Sequence, residues 1–270
     1  MTQNPHSSAQ PEPTRPVAII TGAAQGIGRR TAELFAERGF DLVLSDLVDP
    51  RATVGAATAL GATVEVVLGD VSQENVVTDI VAATRAKFNR ADVLVNNAGI
   101  SFITPAEETT LEGFKRVLDV NIVGPFLLCR EFGKWMLEVG RGSIVNVASI
   151  AGLAGVSDRA AYNTSKHGLI GLTRTLAAEW GGRGVRVNAV CPGWVKTEMD
   201  EKDSGSGAYS SADIEARSPM GRFAVPEDIA NAIFYLGDST SAAYVNGHSL
   251  VVDGGWTTDA SWDTVRLRKR

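Results

Sequence analysis

From residue 17 onward, short runs that are apolar on both faces alternate with longer stretches of helical periodicity. The runs at 17–21, 41–45, 64–68, 93–96, 143–148, 186–190 and 249–252 are rich in β-branched residues and read as strands. Strands that are apolar on both faces belong in a parallel sheet covered by helices on either side. Helical patterns fall near 26–38, 50–60, 73–88, 110–138, 160–182 and 226–237. The alternation predicts βαβ units and an α/β, doubly wound sheet of about seven strands. No internal repeat and no linker divides residues 17–255, so one domain is expected there.

Three segments break the rhythm. Residues 1–16 hold Pro5, Pro11, Pro13 and Pro16 among small polar residues. Proline removes backbone donors and blocks helix, so a disordered tail is expected. Residues 194–225 include Asp200-Glu201-Lys202-Asp203 and Ser204-Gly205-Ser206-Gly207, with little periodicity. A loop this long inside a domain is a binding loop, a lid or a solvated excursion. Residues 256–270 end in Arg266-Leu267-Arg268-Lys269-Arg270, which reads as a solvated basic tail.

Composition narrows the function. With 26 basic and 31 acidic side chains the net charge is −5, which argues against a nucleic-acid partner. No apolar run reaches the 18 residues of a membrane span, and the start lacks a signal-peptide core. A cytoplasmic location is the expectation. Cys129 and Cys191 are far apart and form no CxxC pair, so both read as buried small hydrophobes. His6, His167 and His248 show no metal-ligand spacing, and neither a G-x-S-x-G elbow nor a Walker loop occurs. No metal is expected.

Candidate chemistry gathers at the predicted strand ends. The first strand runs into Thr21-Gly22-Ala23-Ala24-Gln25-Gly26-Ile27-Gly28 directly before a helix. Glycines there let the backbone approach a pyrophosphate, and the helix N-terminus supplies N–H donors and a positive dipole end. The spacing differs from the G-x-G-x-x-G fingerprint, and a purely structural turn would also use it. Asp46 closes the second strand, where a carboxylate can accept both hydroxyls of an adenosine ribose or simply cap a helix. Asp70-Val71 follows the third strand beside the expected adenine edge, although a surface acid serves there equally. Asn96-Asn97-Ala98-Gly99 closes the fourth and suits either a cofactor wall or a turn. Ser149 ends the fifth strand, with Tyr162 13 residues on and Lys166 four further. Positions i and i+4 share a helix face, about 6 Å apart along the axis, so the phenol and the ammonium can enter one site. Asn121 precedes Pro125 by four residues inside the long helical stretch, which would leave the Asn121 carbonyl without its α-helical partner. Pro192-Gly193-Trp194-Val195-Lys196-Thr197 follows the sixth strand. Trp194, Met199, Tyr209 and Met220 could form an apolar substrate wall or ordinary loop packing.

Taken together, Thr21–Gly28, Asp70, Asn96–Gly99, Asn121, Ser149, Tyr162-x-x-x-Lys166 and Pro192-Gly193 resemble the short-chain dehydrogenase/reductase family over residues 16–255. The resemblance implies a Rossmann fold, a nicotinamide cofactor and a catalytic tetrad of Asn121, Ser149, Tyr162 and Lys166. It implies cofactor contacts from Gly22, Gln25, Gly26, Ile27, Gly28, Asp46, Asp70, Val71, Asn97, Ala98, Gly99, Tyr162, Lys166, Pro192, Gly193, Val195 and Thr197. It further implies that Lys166 holds the nicotinamide ribose and that the carbonyl of Asn121 binds a relay water. A homotetramer pairing the helices near 110–138 and 160–182 is implied as well. The expected activity interconverts a small-molecule secondary alcohol and a ketone, with NAD as cofactor. Asp46 would repel the extra phosphate of NADP, while Gln25 and Leu47 offer no cation and Arg29 and Arg30 are expected to point away. Reduction of a 3-oxoacyl thioester on acyl carrier protein is the rival activity. A non-catalytic NAD-binding sensor or scaffold is the rival class, disfavoured because it needs neither Ser149 nor Tyr162.

Overall fold

The computed structural model describes residues 15–198 and 210–261. Strands β1 (Val17–Thr21), β2 (Asp41–Asp46), β3 (Val64–Leu68), β4 (Val93–Asn96), β5 (Gly142–Val147), β6 (Val185–Pro192) and β7 (Ser249–Val252) form one sheet. Their order is β3-β2-β1-β4-β5-β6-β7, parallel at every pairing. The chain winds outward from β1 to β3, returns beside β1 with β4, and winds out the other way. The reversal opens a crevice at the C-terminal ends of β1 and β4, where open α/β sheets bind ligands.

Helices α1 (Gly26–Glu37), α2 (Arg51–Ala59), α3 (Glu74–Phe88), α4 (Leu111–Leu118), α5 (Gly124–Val139), α6 (Ala160–Trp180), α7 (Ser211–Arg217) and α8 (Pro226–Gly237) complete the fold. Alternate side chains along each strand point to opposite faces. Ile19, Val43, Leu94, Ile144 and Val187 therefore meet Ile80 of α3, Phe132 and Met136 of α5 and Trp180 of α6. Ile20, Leu44, Val93, Val95, Val145 and Val190 meet Phe35 of α1 and Ile229 and Ile233 of α8. The inner strands are buried on both faces, and their apolar positions dominate, whereas the edge strands β3 and β7 are only partly buried. Cys129 and Cys191 are buried free thiols, as expected.

Four expectations need correction. The helix over 110–138 is not continuous: α4 ends at Leu118, a π-helical turn spans Asp119–Val123, and α5 begins at Gly124. The Gly124 N–H reaches back to the Asp119 carbonyl, which is the wider i→i+5 register. Asn121 lies inside this turn, so the argument from an α-helical partner at Pro125 starts from the wrong register. The 194–225 segment contains α7, capped reciprocally by Ser210 and Asp213. Ser210-x-x-Asp213 was a readable N-terminal signal. Pro16 and Arg15 belong to the fold rather than to a tail: the Pro16 carbonyl accepts the Asp41 N–H at 2.8 Å, and Arg15 pairs with Asp41 at 3.3 Å. At the other end, Trp256–Ser261 is not all tail, since the Asp259 carbonyl accepts from Arg217 at 3.1 Å. Residues 1–14, 199–209 and 262–270, with Met199, Tyr209, the acidic and Ser-Gly runs and the terminal basic run, lie outside the described residues. Among the described residues no helix is long and apolar enough to cross a membrane.

Phe35 anchors the α1–α8 side, edge-on to Phe40 at 5.0 Å and to Phe234 at 5.1 Å between ring centroids. Its side chain is fully buried. Phe35→Ala is expected to cost about 3–5 kcal/mol of unfolding free energy. Denaturant titration checks this, and a loss below about 1 kcal/mol would mean that this face repacks freely.

Candidate active site

The turn between β1 and α1 is shaped by backbone crowding. Gly22 and Gly26 have φ of +66° and +53°, a region that favours glycine. A Cβ on Gly28 would lie 1.9 Å from the Gly22 carbonyl oxygen, and one on Gly22 would lie 2.9 Å from the Ala98 Cα. The side chain of Asn97 fills the remaining space, donating from Nδ2 to the carbonyls of Thr21 at 2.9 Å and Gly22 at 3.0 Å. The Thr21 hydroxyl in turn accepts the N–H groups of Asn97 and Ala98, each at 3.1 Å. Helix α1 starts at Gly26 behind Gln25, with no acidic residue in its first turn. Its N-terminal end is therefore suited to an anion.

Asp46 closes β2, and its two oxygens accept the N–H groups of Ala24 at 2.8 Å and Val48 at 3.1 Å. The carboxylate thus ties the glycine turn to the end of β2 while lining the cavity beside it. Arg29 pairs with Glu33, and Arg30 with Glu33, Glu37 and Glu227. Neither arginine lines the cavity. Asp70 pairs with Arg116 at 2.7 Å and accepts from Ser72, which together hold its carboxyl below the usual range against the opposing effect of burial. Nothing in the sequence announced the Arg116 partnership.

On the other side of the crevice stands the tyrosine–lysine pair. The Lys166 ammonium is buried, donates to the Val147 carbonyl at 2.8 Å, and lies 5.5 Å from the centre of the Tyr162 ring. Burial lowers its pKa to about 8. Ser149 follows β5, and its hydroxyl accepts the Ala151 N–H at 3.1 Å, capping a short 3₁₀ turn over Ile150–Gly152. Asn121 comes to the same place through its side chain. Its Oδ1 accepts the Ile100 N–H at 2.9 Å, and its Nδ2 donates to the Ile100 carbonyl and the Ser165 hydroxyl, both at 3.0 Å. Beyond β6, the Gly193 N–H donates to the Val252 carbonyl at 2.9 Å, and Thr197 packs beside Gly26.

These strand ends enclose one cavity of about 330 Å³. Gly22, Gln25, Gly26, Ile27 and Asp46 line it from β1 and β2; Asp70, Val71, Asn97, Ala98 and Gly99 line it from β3 and β4. Ser149, Tyr162 and Lys166 form the next wall, and Pro192, Gly193, Val195 and Thr197 the last. Gly28 and Asn121 are the expected site residues that do not line it. Gly28 sits beneath the turn and Asn121 behind Ile100. Trp194 lines the cavity, whereas Met220 is 63% exposed and stands outside it. Sequence reasoning missed Ile100, Ser101, Val156, Arg159 and Glu198. Arg159 had one signal, its position three residues before Tyr162. Among the described residues no cluster of His, Cys, Asp or Glu is built to hold a metal.

Comparison with known proteins agrees with this geometry. A family model described as enoyl-(acyl carrier protein) reductase matches residues 22–257. The chain is 42% identical to the D-threitol dehydrogenase of Mycolicibacterium smegmatis, over 89% of this chain and 92% of that one. It is 37% identical to a 3-oxoacyl-[acyl-carrier-protein] reductase of Synechocystis, over 90% and 97%. A crystal structure of a candidate NAD(P)-dependent gluconate 5-dehydrogenase from Beutenbergia cavernae, holding NADP at low occupancy, superposes with a TM-score of 0.84. That chain is 39% identical, with 90% of this chain and 97% of that one covered. By its sheet order, its site and these relatives, the chain belongs to the short-chain dehydrogenase/reductase family of oxidoreductases.

Proposed function

We propose that the chain is an NAD(H)-dependent oxidoreductase that interconverts a small-molecule secondary alcohol and a ketone, with Tyr162 as general acid/base. The observation that carries this is the buried Lys166 beside Tyr162, across from Ser149 and in one cavity with the glycine turn. The side-chainless positions at Gly22 and Gly28 and the uncapped start of α1 fit a dinucleotide pyrophosphate. Gln25, Gly26 and Ile27 complete that cradle, Asp46 takes the adenosine ribose, and Asp70 and Val71 flank the adenine. Asn97, Ala98, Gly99, Pro192, Gly193, Val195 and Thr197 wall the nicotinamide half. The bound cofactor would supply the hydride acceptor or donor.

The chain's own residues handle the proton and the substrate oxygen. An unperturbed phenol titrates near 10 and is a weak base at neutral pH. The neighbouring Lys166 cation favours the phenolate, so Tyr162 can take the carbinol proton or return it. Ser149 holds the substrate oxygen by a hydrogen bond and orients it. Lys166 also holds the nicotinamide ribose. Asn121 positions the β4 loop through Ile100 and contacts α6 through Ser165. The same machinery would reduce a 3-oxoacyl thioester, an activity that the Synechocystis relative's name carries.

Tyr162→Phe is expected to abolish turnover while dinucleotide affinity stays within several-fold of wild type, because the ring still packs and only the proton donor is lost. Lys166→Ala should damage both turnover and cofactor affinity. Steady-state kinetics with dinucleotide binding by fluorescence decide the matter, and a Tyr162→Phe enzyme keeping a tenth of wild-type kcat would refute the role.

For the cofactor, we expect NAD to be preferred over NADP by at least ~30-fold in kcat/KM, about 2 kcal/mol. Asp46 lines the cavity with Leu47 beside it, where the reading puts the ribose, and Arg29 and Arg30 are engaged by glutamates and do not line it. Asp46→Ala combined with Leu47→Arg should reverse the preference. A wild-type enzyme that favoured NADP, the dinucleotide held by the Beutenbergia protein, would overturn the assignment.

A cytoplasmic homotetramer built on α5 and α6 completes the proposal. Phe126 and Val139 of α5 are 45% and 52% exposed, apolar surface that an assembly would cover. Light scattering should give four chains per particle, and a monomer at micromolar concentration would exclude this.

A further inference from the structure

Charge along the cavity is balanced everywhere except at the glycine turn. The acidic lining residues are Asp46, Asp70 and Glu198, and the basic ones are Arg116, Arg159 and Lys166. Asp70 is paired with Arg116 at 2.7 Å, and Asp46 accepts the N–H groups of Ala24 and Val48. Lys166 donates to the Val147 carbonyl beside Tyr162, and Arg159 donates to the Ser101 hydroxyl at 2.7 Å. Glu198 differs from the other two acids. It is exposed, and it has no ion-pair partner among the described residues.

Its carboxylate stands against the start of α1. A Cβ built on Gly26, the first residue of that helix, would lie 3.4 Å from Glu198 Oε2. Helix α1 has no acidic residue in its own first turn and no side-chain cap. Glu198 is therefore the anion that the chain itself brings to this helix end, from the segment after β6. With the cavity empty the placement is favourable, because a negative group near a helix N-terminus is stabilised by the dipole. Toward an incoming pyrophosphate the same carboxylate is a competitor for that dipole and a like charge at close range.

We propose that Glu198 sets the affinity of the dinucleotide site by opposing the pyrophosphate, so that the glycine turn binds NAD and NADH less tightly than its backbone geometry alone would. This rests on the dinucleotide reading of the glycine turn and adds an opposing charge to it. A moderate hold suits a cofactor that must leave after each turnover. The role differs from that proposed for Asp46, which discriminates at the ribose, whereas Glu198 acts on the pyrophosphate that NAD and NADP share.

The test measures equilibrium binding of ADP-ribose by calorimetry and of NADH by fluorescence to wild type, Glu198→Gln and Glu198→Lys. ADP-ribose keeps the pyrophosphate and lacks the nicotinamide, so it reports on this end of the cavity without turnover. At about 10 mM salt, where screening is weak, Glu198→Gln should bind both ligands ~5-fold more tightly than wild type, and Glu198→Lys more tightly still. At about 500 mM salt the three proteins should converge, since the field of an exposed charge is screened. Equal or weaker binding by both variants would overturn the proposal. So would a gain of the same size at both salt concentrations, which is the mark of a reshaped loop rather than a removed charge. A gain with NADH but none with ADP-ribose overturns it as well, because the carboxylate would then act on the nicotinamide and not on the pyrophosphate. Wild-type protein that binds neither ligand would strike the dinucleotide reading itself. Binding that is equal in all three proteins strikes the role of Glu198 and leaves that reading standing.

Discussion

The carboxamide of Asn97 joins the two strands on which the whole site depends. β1 and β4 lie side by side, yet their connections leave in opposite directions, so their last carbonyls would part without a bridge. Asn97 donates to the carbonyls of both Thr21 and Gly22, and the Thr21 hydroxyl takes the N–H groups of Asn97 and Ala98 in return. The amide occupies the volume that a Cβ on Gly28 would enter, 2.5 Å from Nδ2. Glycine at 28 and asparagine at 97 are thus two halves of one steric solution. From it follow the tightness of the β1–α1 turn, the direction of α1, and the reach of Ala24 to the Asp46 carboxylate.

A second polar structure carries the catalytic side. Burying an ammonium costs free energy unless its donors are satisfied. Lys166 meets that cost only in part through the Val147 carbonyl, and its pKa of about 8 records the remainder. In the proposed function it is this buried ammonium, 5.5 Å from the centre of the Tyr162 ring, that would favour the phenolate. The π turn over Asp119–Val123 supports the same region from behind. It directs the Asn121 amide onto both polar groups of Ile100 and onto Ser165, one residue before the lysine. π turns recur at functional sites because the extra residue re-aims a side chain without ending the helix.

How much of this could be read from the sequence follows from how local each signal is. All seven strands and the glycine turn were legible, because the strands read as short apolar, β-branched runs, including the partly buried edge strands β3 and β7, and positive φ writes itself as glycine. Helical spacing put Tyr162 and Lys166 on one face, but the pair gained weight only with Ser149 at the end of β5 and the family resemblance. The π turn was not: its register differs from an α-helix by one residue, and the apolar periodicity of 110–138 runs across it. Helix α7 escaped because a helix of seven residues carries too little periodicity, although its capping pair stood in the sequence. Asp70 kept two readings for a different reason. Its ion pair with Arg116 joins residues 46 positions apart, and no local pattern encodes such a contact.

The same reasoning explains why the two halves of the cavity differ in legibility. The half around the glycine turn, which the proposed function gives to the dinucleotide, is built from strand ends, where backbone geometry restricts which residues fit and the restriction shows as glycine, asparagine and aspartate at fixed spacings. The other half is built from side chains that converge from separate segments: Ser101 after β4, Arg159 at the start of α6, Trp194 after β6. Each is unremarkable in its own stretch of chain, and only the fold brings hydroxyl, guanidinium and indole within contact of one another. Such a wall can change its chemistry by single substitutions without disturbing the sheet. In the proposed function, hydride chemistry would accordingly be fixed by the scaffold, and substrate choice by a few long side chains of that wall.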